Sequence, residues 1–567
     1  GGWSGTKSST GGTEQSVTLT TDTAFILVCV NQSGQSGMVQ ASVVVDEVFL
    51  PLNTYYISPT GNDSNQGSLE KPWRTLERAF DKSKPNHVIG GNTLYLREGI
   101  YRVDQDKFDK TVKLASYNGT ASQSTVISGY QNEKAKIYLS ENVTSGWNKY
   151  TGRSGAGIYY LDWRMYLQQN QPVFYNGAYA WNSVPQAVFV DDTTPVILQQ
   201  VNANKTSDNI RGGERAWMKS KSLRTNQDDM VAGDFYYETD PVSPNYGKLF
   251  VWLPDNTDPN SRKMEIPLDF NIAFNGSWLK FQNLTFRYSG DVWGFSVTGQ
   301  NNVIDGIDSS YNAYTGLDGV CTNCLVKNSI FNWGGNAGAY LRGAGTIYDN
   351  NIFDHNNFRL FPGGSSCGGM KLHPGVEGAG KLGISNMTVR NSTFSNTFGC
   401  ISLWFDWMED GLLVENNTFI NNTVDLSFEV TDGTAEKPNI VRNNIFKDTH
   451  KIGRVFTELI PQIEVKSSKY THIYNNLFYN SSLGVLMMRT ENPTGGGGNE
   501  PERAFLQNNQ AFNNIFVNVS APLMMMRNST DGKSVGNVSD YNLFWGGNVS
   551  EDIGVWELAP FNGQNWE

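Results

Sequence analysis

The chain has 567 residues with 58 glycines, 12% aromatic and only 17% charged residues, the profile of a β-rich, turn-rich protein. Its net charge of −11 argues against nucleic acid or an anionic membrane surface as a partner and weighs against a strongly polyanionic substrate. No apolar run reaches the roughly 18 residues that a membrane-spanning helix needs, and the length exceeds one ordinary globular core, although a solenoid can grow without enlarging its core.

The chain opens at Gly1 with neither Met nor a charged-then-apolar leader, which fits a processed protein, secreted or periplasmic. Residues 1–50 carry two alternating segments, SVTLTTDTAFILVCV and MVQASVVVDEVFL, and read as a small β module. Together with GGWSGTK they resemble the immunoglobulin-like modules appended to secreted bacterial enzymes, and the expected role is that of a spacer. In TYYISPTGNDSNQGSLEKPWRTLERAFDKS, a strand and a turn cluster lead to Pro72, suited to a first helical turn, and to a stripe of Trp73, Leu76, Ala79 and Phe80. That pattern predicts an amphipathic helix capping the open end of a solenoid. NTLYLREGIYR and STVISGY would form the first coils.

Residues 140–270 lack the repeat found further on and alternate as strands between Pro, Asp and Asn turns, predicting an inserted β-sandwich-like domain beside the solenoid. Trp181, Trp217, Trp252 and Tyr236 there are candidates to stack on a sugar, with core packing the commoner use of such residues.

From 271 to 567 an Asn-rich unit recurs as VRNSTF, VENNTF, VRNNIF and IYNNLF, with looser copies from FQNLTF to DYNLF. Short strands repeating at twenty-odd residues, without helical periodicity, indicate an all-β parallel β-helix, and the segment 54–82, which resembles the entry segment of secreted right-handed β-helix enzymes, implies the right-handed form. Each repeated Phe should pack inward, and the Asn side chains should form ladders between coils. Cys321 and Cys324 form a CxxC without the second pair that a zinc site needs, so turn or stacked cysteines are expected there and at Cys367 and Cys400.

The stretch CISLWFDWMEDGLLVENNTFINNTVDLSFEV holds Asp406 and Glu429, which lie 12 residues after Phe394 and 10 after Phe419. Alternation places Ile401, Leu403 and Phe405 inside and Ser402, Trp404 and Asp406 outside; Glu429 is likewise outside. The two carboxylates then stand on consecutive coils about 5 Å apart, the separation of a retaining glycosidase pair. Trp404 and Trp407 flank Asp406, as aromatic residues flank acids in sugar sites. Extending the strip gives Arg342, Lys371, His373 and Glu458 as candidate substrate contacts, with Glu458 also an alternative partner for Asp406. Asp318 and His355 are assigned to turns with structural hydrogen bonds.

The WFDW to FEV segment resembles the catalytic segment of glycoside hydrolase family 120, β-xylosidases built on a right-handed β-helix with an added β domain. The resemblance implies that Asp406 is the nucleophile and Glu429 the acid/base. It implies a retaining, exo-acting hydrolase of an oligosaccharide or polysaccharide, with no cofactor and with calcium, if bound, structural. One departure is Thr431-Asp432-Gly433, where the family carries a His-Gly-Pro-like turn shaping the sugar pocket. Two other functions use the same wall: a polysaccharide lyase with Lys371 as base and Arg342, Arg390 or calcium neutralising a uronate, and a non-catalytic carbohydrate-binding adhesin.

Overall fold

The computed structural model describes residues 53–102, 117–131, 133–170, 184–201, 226–269, 271–291, 293–359, 361, 367–373, 384–449, 460–488, 505–527 and 535–546. It also gives the strands Thr23–Val30, Ser36–Val43, Thr111–Lys113, Gly554–Leu558 and Gln564–Asn565. The chain divides into two compact units, Gly1–Asn53 and Thr54–Glu567. In the first, Thr23–Val30 and Ser36–Val43 pair antiparallel, with Thr23 opposite Val43. The remainder of the expected immunoglobulin-like module falls outside the described residues.

The second unit is a right-handed parallel β-helix. One face is a thirteen-stranded sheet from Thr54–Ile57 to Val538–Asp540, and a 23-stranded sheet wraps the others. The segment LVENNTFINNTVDLSFE shows why its residues form one coil. Leu413–Glu415, Thr418–Ile420 and Val424–Glu429 are its three strands, separated by two Asn pairs. The first Asn of each pair, Asn416 and Asn421, takes φ of 56°, a left-handed corner that Asn tolerates better than other side chains with a Cβ.

The second Asn of each pair is buried and ties coils together. The Asn417 backbone N–H donates to Asn444 Oδ1 at 2.9 Å, and its own Nδ2 donates to the Val389 carbonyl at 2.9 Å. The same link joins Asn444 to Asn476 at 3.0 Å and Asn476 to Asn514 at 3.1 Å. These bonds satisfy corner amides that would otherwise be buried without partners. Inside, Phe394, Phe419, Phe446, Phe478 and Phe516 stack with centroid spacings of 4.9, 4.8, 5.0 and 4.6 Å. Ring spacing and strand spacing are the same length, so one Phe per coil fills the core.

At the amino-terminal end, the predicted helix is a single turn, Leu76–Phe80, shorter than its apolar stripe suggests. Thr75 caps it by accepting from the Arg78 N–H at 3.1 Å, so Pro72 and Trp73 precede the helix; Trp73 instead bridges to Ile57 inside the core. Between Ser140 and Pro267 lie two small sheets, one of five strands and one of four. Bidentate Arg102 on Glu265, at 2.7 and 3.0 Å, and Lys136 on Asp192, at 2.7 Å, join the four-stranded sheet to the solenoid. Tyr236 is buried among Phe250 and its neighbours, so it presents no face to a ligand. Trp252 packs partly buried against the same cluster, while Trp181 and Trp217 lie outside the described residues.

A second apolar cluster sits on the outer surface. It joins Ala187 and Phe189 of the inserted region to Tyr314, Phe361, Ile401, Val424 and Trp404. The expected inside position of Ile401 is therefore corrected. Ile401 and Val424 belong to this outer cluster, whereas Leu403, Phe405, Leu426 and Phe428 belong to the core. Ser402, expected outside, is fully buried. The alternation is interrupted near the strand start and regular from Leu403 onward.

Candidate functional site

Six outer strands carry the site: β1 (Thr315–Thr322), β2 (Ala337–Arg342), β3 (Gly368–Leu372), β4 (Ile401–Asp406), β5 (Val424–Glu429) and β6 (Pro461–Lys466). The outer apolar cluster meets these strands at Ile401 and Trp404 of β4 and at Val424 of β5. Register fixes the neighbours. Asp406 lies opposite Glu429, and Glu429 opposite Lys466. Lys371 lies opposite Trp404, Trp404 opposite Ser427, and Ser427 opposite Glu464. Directly paired parallel strands bring Asp406 and Glu429 onto adjacent coils about 4.8 Å apart.

The charges along these columns are arranged in pairs. Lys371 Nζ lies 3.0 Å from Asp406 Oδ2 and 3.5 Å from the centre of the Trp404 ring. Lys466 Nζ lies 3.0 Å from Glu464 Oε1, and Ser427 donates to Glu464 Oε2 at 3.1 Å. The Lys371 and Asp406 side chains are both largely buried. Burial pushes the Asp406 carboxyl above its ordinary range, opposed by the charge and hydrogen bond of Lys371 and by Lys466. Burial also raises Glu429, opposed by Lys466 and reinforced by the Asp406 charge. Two adjacent buried carboxyls each disfavour ionisation of the other. The direct ammonium contact favours the charged form of Asp406. Trp404 Nε1 is buried without a well-aligned hydrogen bond, and its N–H, directed at Glu429, is a minor influence towards the charged form.

The structure distributes the other sequence candidates unevenly. Trp404 is buried beneath Lys371, so it supports the ammonium and offers no open face. Trp407 follows Asp406 at a left-handed corner, φ 57°, where its N–H donates to the Glu429 carbonyl at 2.9 Å. His373 follows Leu372, which pairs with Phe405, so the chain carries it alongside the coil of Asp406. Arg342 ends β2 with its guanidinium 4.7 Å from the Tyr340 ring. Glu458 lies outside the described residues; Lys466 occupies the position after Glu429 in that column. Asp318 is in strand β1, opposite Tyr340, and not in a turn. His355 does sit at a left-handed corner, stacked 4.3 Å from Trp333 with Nδ1 2.6 Å from Asp354 Oδ2. Arg390 pairs with Asp349 at 2.8 Å, and Asp349 lies opposite Arg390 in the thirteen-stranded sheet, another face of the solenoid.

Lys466 and Glu464 escaped the sequence reading because the chain between Phe446 and Pro461 is longer than in the preceding coil. The alternation in PQIEVK, which repeats that of DLSFEV, was the available signal. The turn Thr431-Asp432-Gly433 has a structural role: Thr431 is buried, its N–H donating to Ser468 Oγ at 2.9 Å, and Asp432 pairs with Lys469 at 3.2 Å. Two disulfides, Cys321–Cys324 and Cys367–Cys400, use four of the cysteines. Among the described residues no group of three His, Cys, Asp or Glu side chains could hold a metal.

A family model described as "Right handed beta helix region" matches residues 271–478. An uncharacterised protein, YwoF of Bacillus subtilis (strain 168), is 34% identical over 82 residues, 14% of this chain and 15% of that protein's length. Among solved structures, "The complex structure of XylC with xylose" superposes with a TM-score of 0.51 at 13% identity, over 87% of this chain and 86% of that one. A structure described as "Glycoside hydrolase" gives 0.41 at 13% identity, over 88% and 97% of the two chains. "Crystal structure of pectate lyase Pel9A" gives 0.34 at 11% identity, over 86% and 80%. Together with the coil-by-coil pairing, the matched region and the XylC superposition show that this chain folds as a right-handed parallel β-helix.

Proposed function

We propose that this protein is a retaining glycoside hydrolase acting on neutral oligosaccharides or polysaccharides, with Asp406 as nucleophile and Glu429 as acid/base. The observation that carries this reading is the direct pairing of Asp406 with Glu429 on adjacent coils, with Lys371 in an ion pair with Asp406. Adjacent coils suit carboxylates about 5–5.5 Å apart, which leaves no room for the water of an inverting mechanism. Glu429 would protonate the glycosidic oxygen while Asp406 attacks the anomeric carbon. The resulting Glu429 carboxylate would then take a proton from the water that releases the sugar from Asp406. The likeness to XylC, described in complex with xylose, makes xylosides the first substrates to test. The disulfides favour a secreted or periplasmic setting.

A lyase reading would need Lys371 as an available base and a cation to neutralise a uronate. Lys371 and Lys466 are each held in an ion pair at 3.0 Å, which favours the hydrolase. The test is azide rescue on a panel of aryl glycosides. Asp406→Ala with azide should yield a glycosyl azide of inverted configuration, and Glu429→Ala with azide one of retained configuration. Release of unsaturated uronates by the wild type, abolished in Lys371→Ala, would replace the hydrolase by a lyase.

A further inference from the structure

Towards the carboxyl ends of β3 to β6 stand two lysines and three carboxyls, Lys371, Lys466, Asp406, Glu429 and Glu464, and the lysines are not spread evenly over them. Lys371 contacts Asp406 and Lys466 contacts Glu464, each at 3.0 Å, and Glu429 is in neither pair. Register alone would give a different result. Lys466 lies directly opposite Glu429 on the adjacent coil, about 4.8 Å away along the sheet, whereas Glu464 stands two residues back on the same strand, about 6.6 Å away. By backbone spacing Glu429 is the nearer carboxyl.

The setting of Glu464 explains why it takes the ammonium. Its Oε2 accepts from Ser427 at 3.1 Å, and Ser427 is fully buried on the strand that bears Glu429. That bond fixes the carboxylate with Oε1 on Lys466 Nζ. The Glu464 side chain is largely buried, and a buried carboxylate is stable only beside a matching charge, so Lys466 is committed to it. Two ammonium groups then balance two carboxylates, and a charge on Glu429 would be the unmatched one. The charged groups facing Glu429 are Asp406 from β4, Lys371 from β3 and Lys466 from β6; His373 follows β3 beside the coil of Asp406, and Asp425 lies at the far end of β5. Burial and the Asp406 charge favour the neutral form of Glu429, against the two lysines.

We propose that Glu464 is a positioning residue: it holds the Lys466 ammonium on β6, so that Glu429 has no ammonium of its own and keeps the proton that the glycosidic oxygen receives. This rests on the glycosidase reading for the use made of that proton, but the protonation of Glu429 can be measured without turnover.

The experiment titrates Glu429 by NMR of protein carrying glutamate isotopically labelled at the side-chain carboxyl, its signal being the one lost in Glu429→Gln. The variants are Glu464→Gln, which keeps the shape and an oxygen for Ser427 while removing the charge, and Glu464→Gln combined with Lys466→Met, which removes the ammonium as well. In Glu464→Gln, Lys466 turns to Glu429 and stabilises its carboxylate, so the proton leaves at lower pH and the midpoint should fall by about one unit. The double variant has the wild-type net charge at this point and should bring the midpoint back close to its wild-type value. On aryl glycosides with poor leaving groups the basic limb of kcat/KM should follow these midpoints, with Glu464→Gln losing about tenfold at pH values above the wild-type limb and much less on activated leaving groups. A midpoint that stays or rises in Glu464→Gln, or that falls and is not restored in the double variant, overturns the positioning role and leaves the hydrolase standing. Midpoints that move as described in a protein that cleaves no glycoside support the hold of Glu464 on Lys466 and overturn the hydrolase.

Discussion

Replacing Lys371 by Met tests the division of labour between the two carboxyls. At 3.0 Å, the Lys371–Asp406 attraction is about 5 kcal/mol at an effective dielectric of about 20. Lys466 also favours the charged form of Asp406, and solvent and neighbouring dipoles relax when the ammonium is lost, so the net effect is smaller. About 3 kcal/mol corresponds to roughly two units of pKa. The sign is upward: without the ammonium the buried Asp406 carboxylate is less stable, and its proton leaves only at higher pH. Lys466, beside Glu429, then draws the charge onto the wrong carboxyl. The assay is the pH dependence of kcat/KM on an aryl glycoside whose leaving group needs no protonation, so that the acidic limb reports Asp406. Lys371→Met should move that limb up by about two units, which lowers kcat/KM about 100-fold at pH values below the wild-type limb. Lys371→Arg, which keeps the charge, should retain most of the wild-type limb position. A limb that stays in place or moves down in Lys371→Met would refute this account.

Three further outcomes follow from the same geometry. Glu429→Ala should lose about 10²–10⁴-fold in the glycosylation rate with poor leaving groups and much less with activated ones, read from pre-steady-state bursts. Asp425 is fully buried, bonded by Asn422 Nδ2 and Thr449 Oγ1 at 2.9 Å each, and burial raises its carboxyl to about 7. Its folded pKa exceeds its unfolded value, so its stabilisation is full below about pH 4 and is lost as pH rises through about 7. Asp425→Asn should therefore flatten the fall in Tm between pH 4 and 8, and an unchanged slope would assign that fall to other groups. Phe419→Ala removes one ring from a stack with spacings of 4.9 and 4.8 Å and should cost about 3–5 kcal/mol in urea unfolding.

The sequence exposed the fold because each coil reuses the same two devices, a Phe that fills the interior and an Asn that turns and ties the corner. The pairing of Asp406 with Glu429 was legible for the same reason: counting from Phe394 and Phe419 carries both acids to the same place. Counting failed beyond Phe446, where the longer connection placed Lys466, and not Glu458, after Glu429. It also failed at Ile401, because periodicity cannot reveal that an external cluster covers the first turn of a strand. Asp318 looked like a turn residue because glycines stand close on both sides of it, at 316 and 319. In the strand, Gly319 has φ of +129° and a Cβ there would lie 1.9 Å from the Val297 carbonyl oxygen, so this glycine serves close backbone packing. Ion-pair partners such as Lys371 and Asp406 depend on side-chain direction across coils, which alternation alone leaves open.

The Cys367–Cys400 bond has a consequence for how a repetitive chain finds its order. Coils that share Asn and Phe look alike to one another, so a growing stack can skip a neighbour or shift by one position, and a shift by one would turn Asp406 into the interior. Cys367 and Cys400 immediately precede β3 and β4, and their Cα atoms lie 6.1 Å apart. Skipping a coil would add about 4.8 Å and put the two sulfurs beyond bonding reach. The disulfide thus works as an index mark, closing only when the strand bearing Lys371 has met the strand bearing Asp406, and distinguishing that neighbour from its near copies.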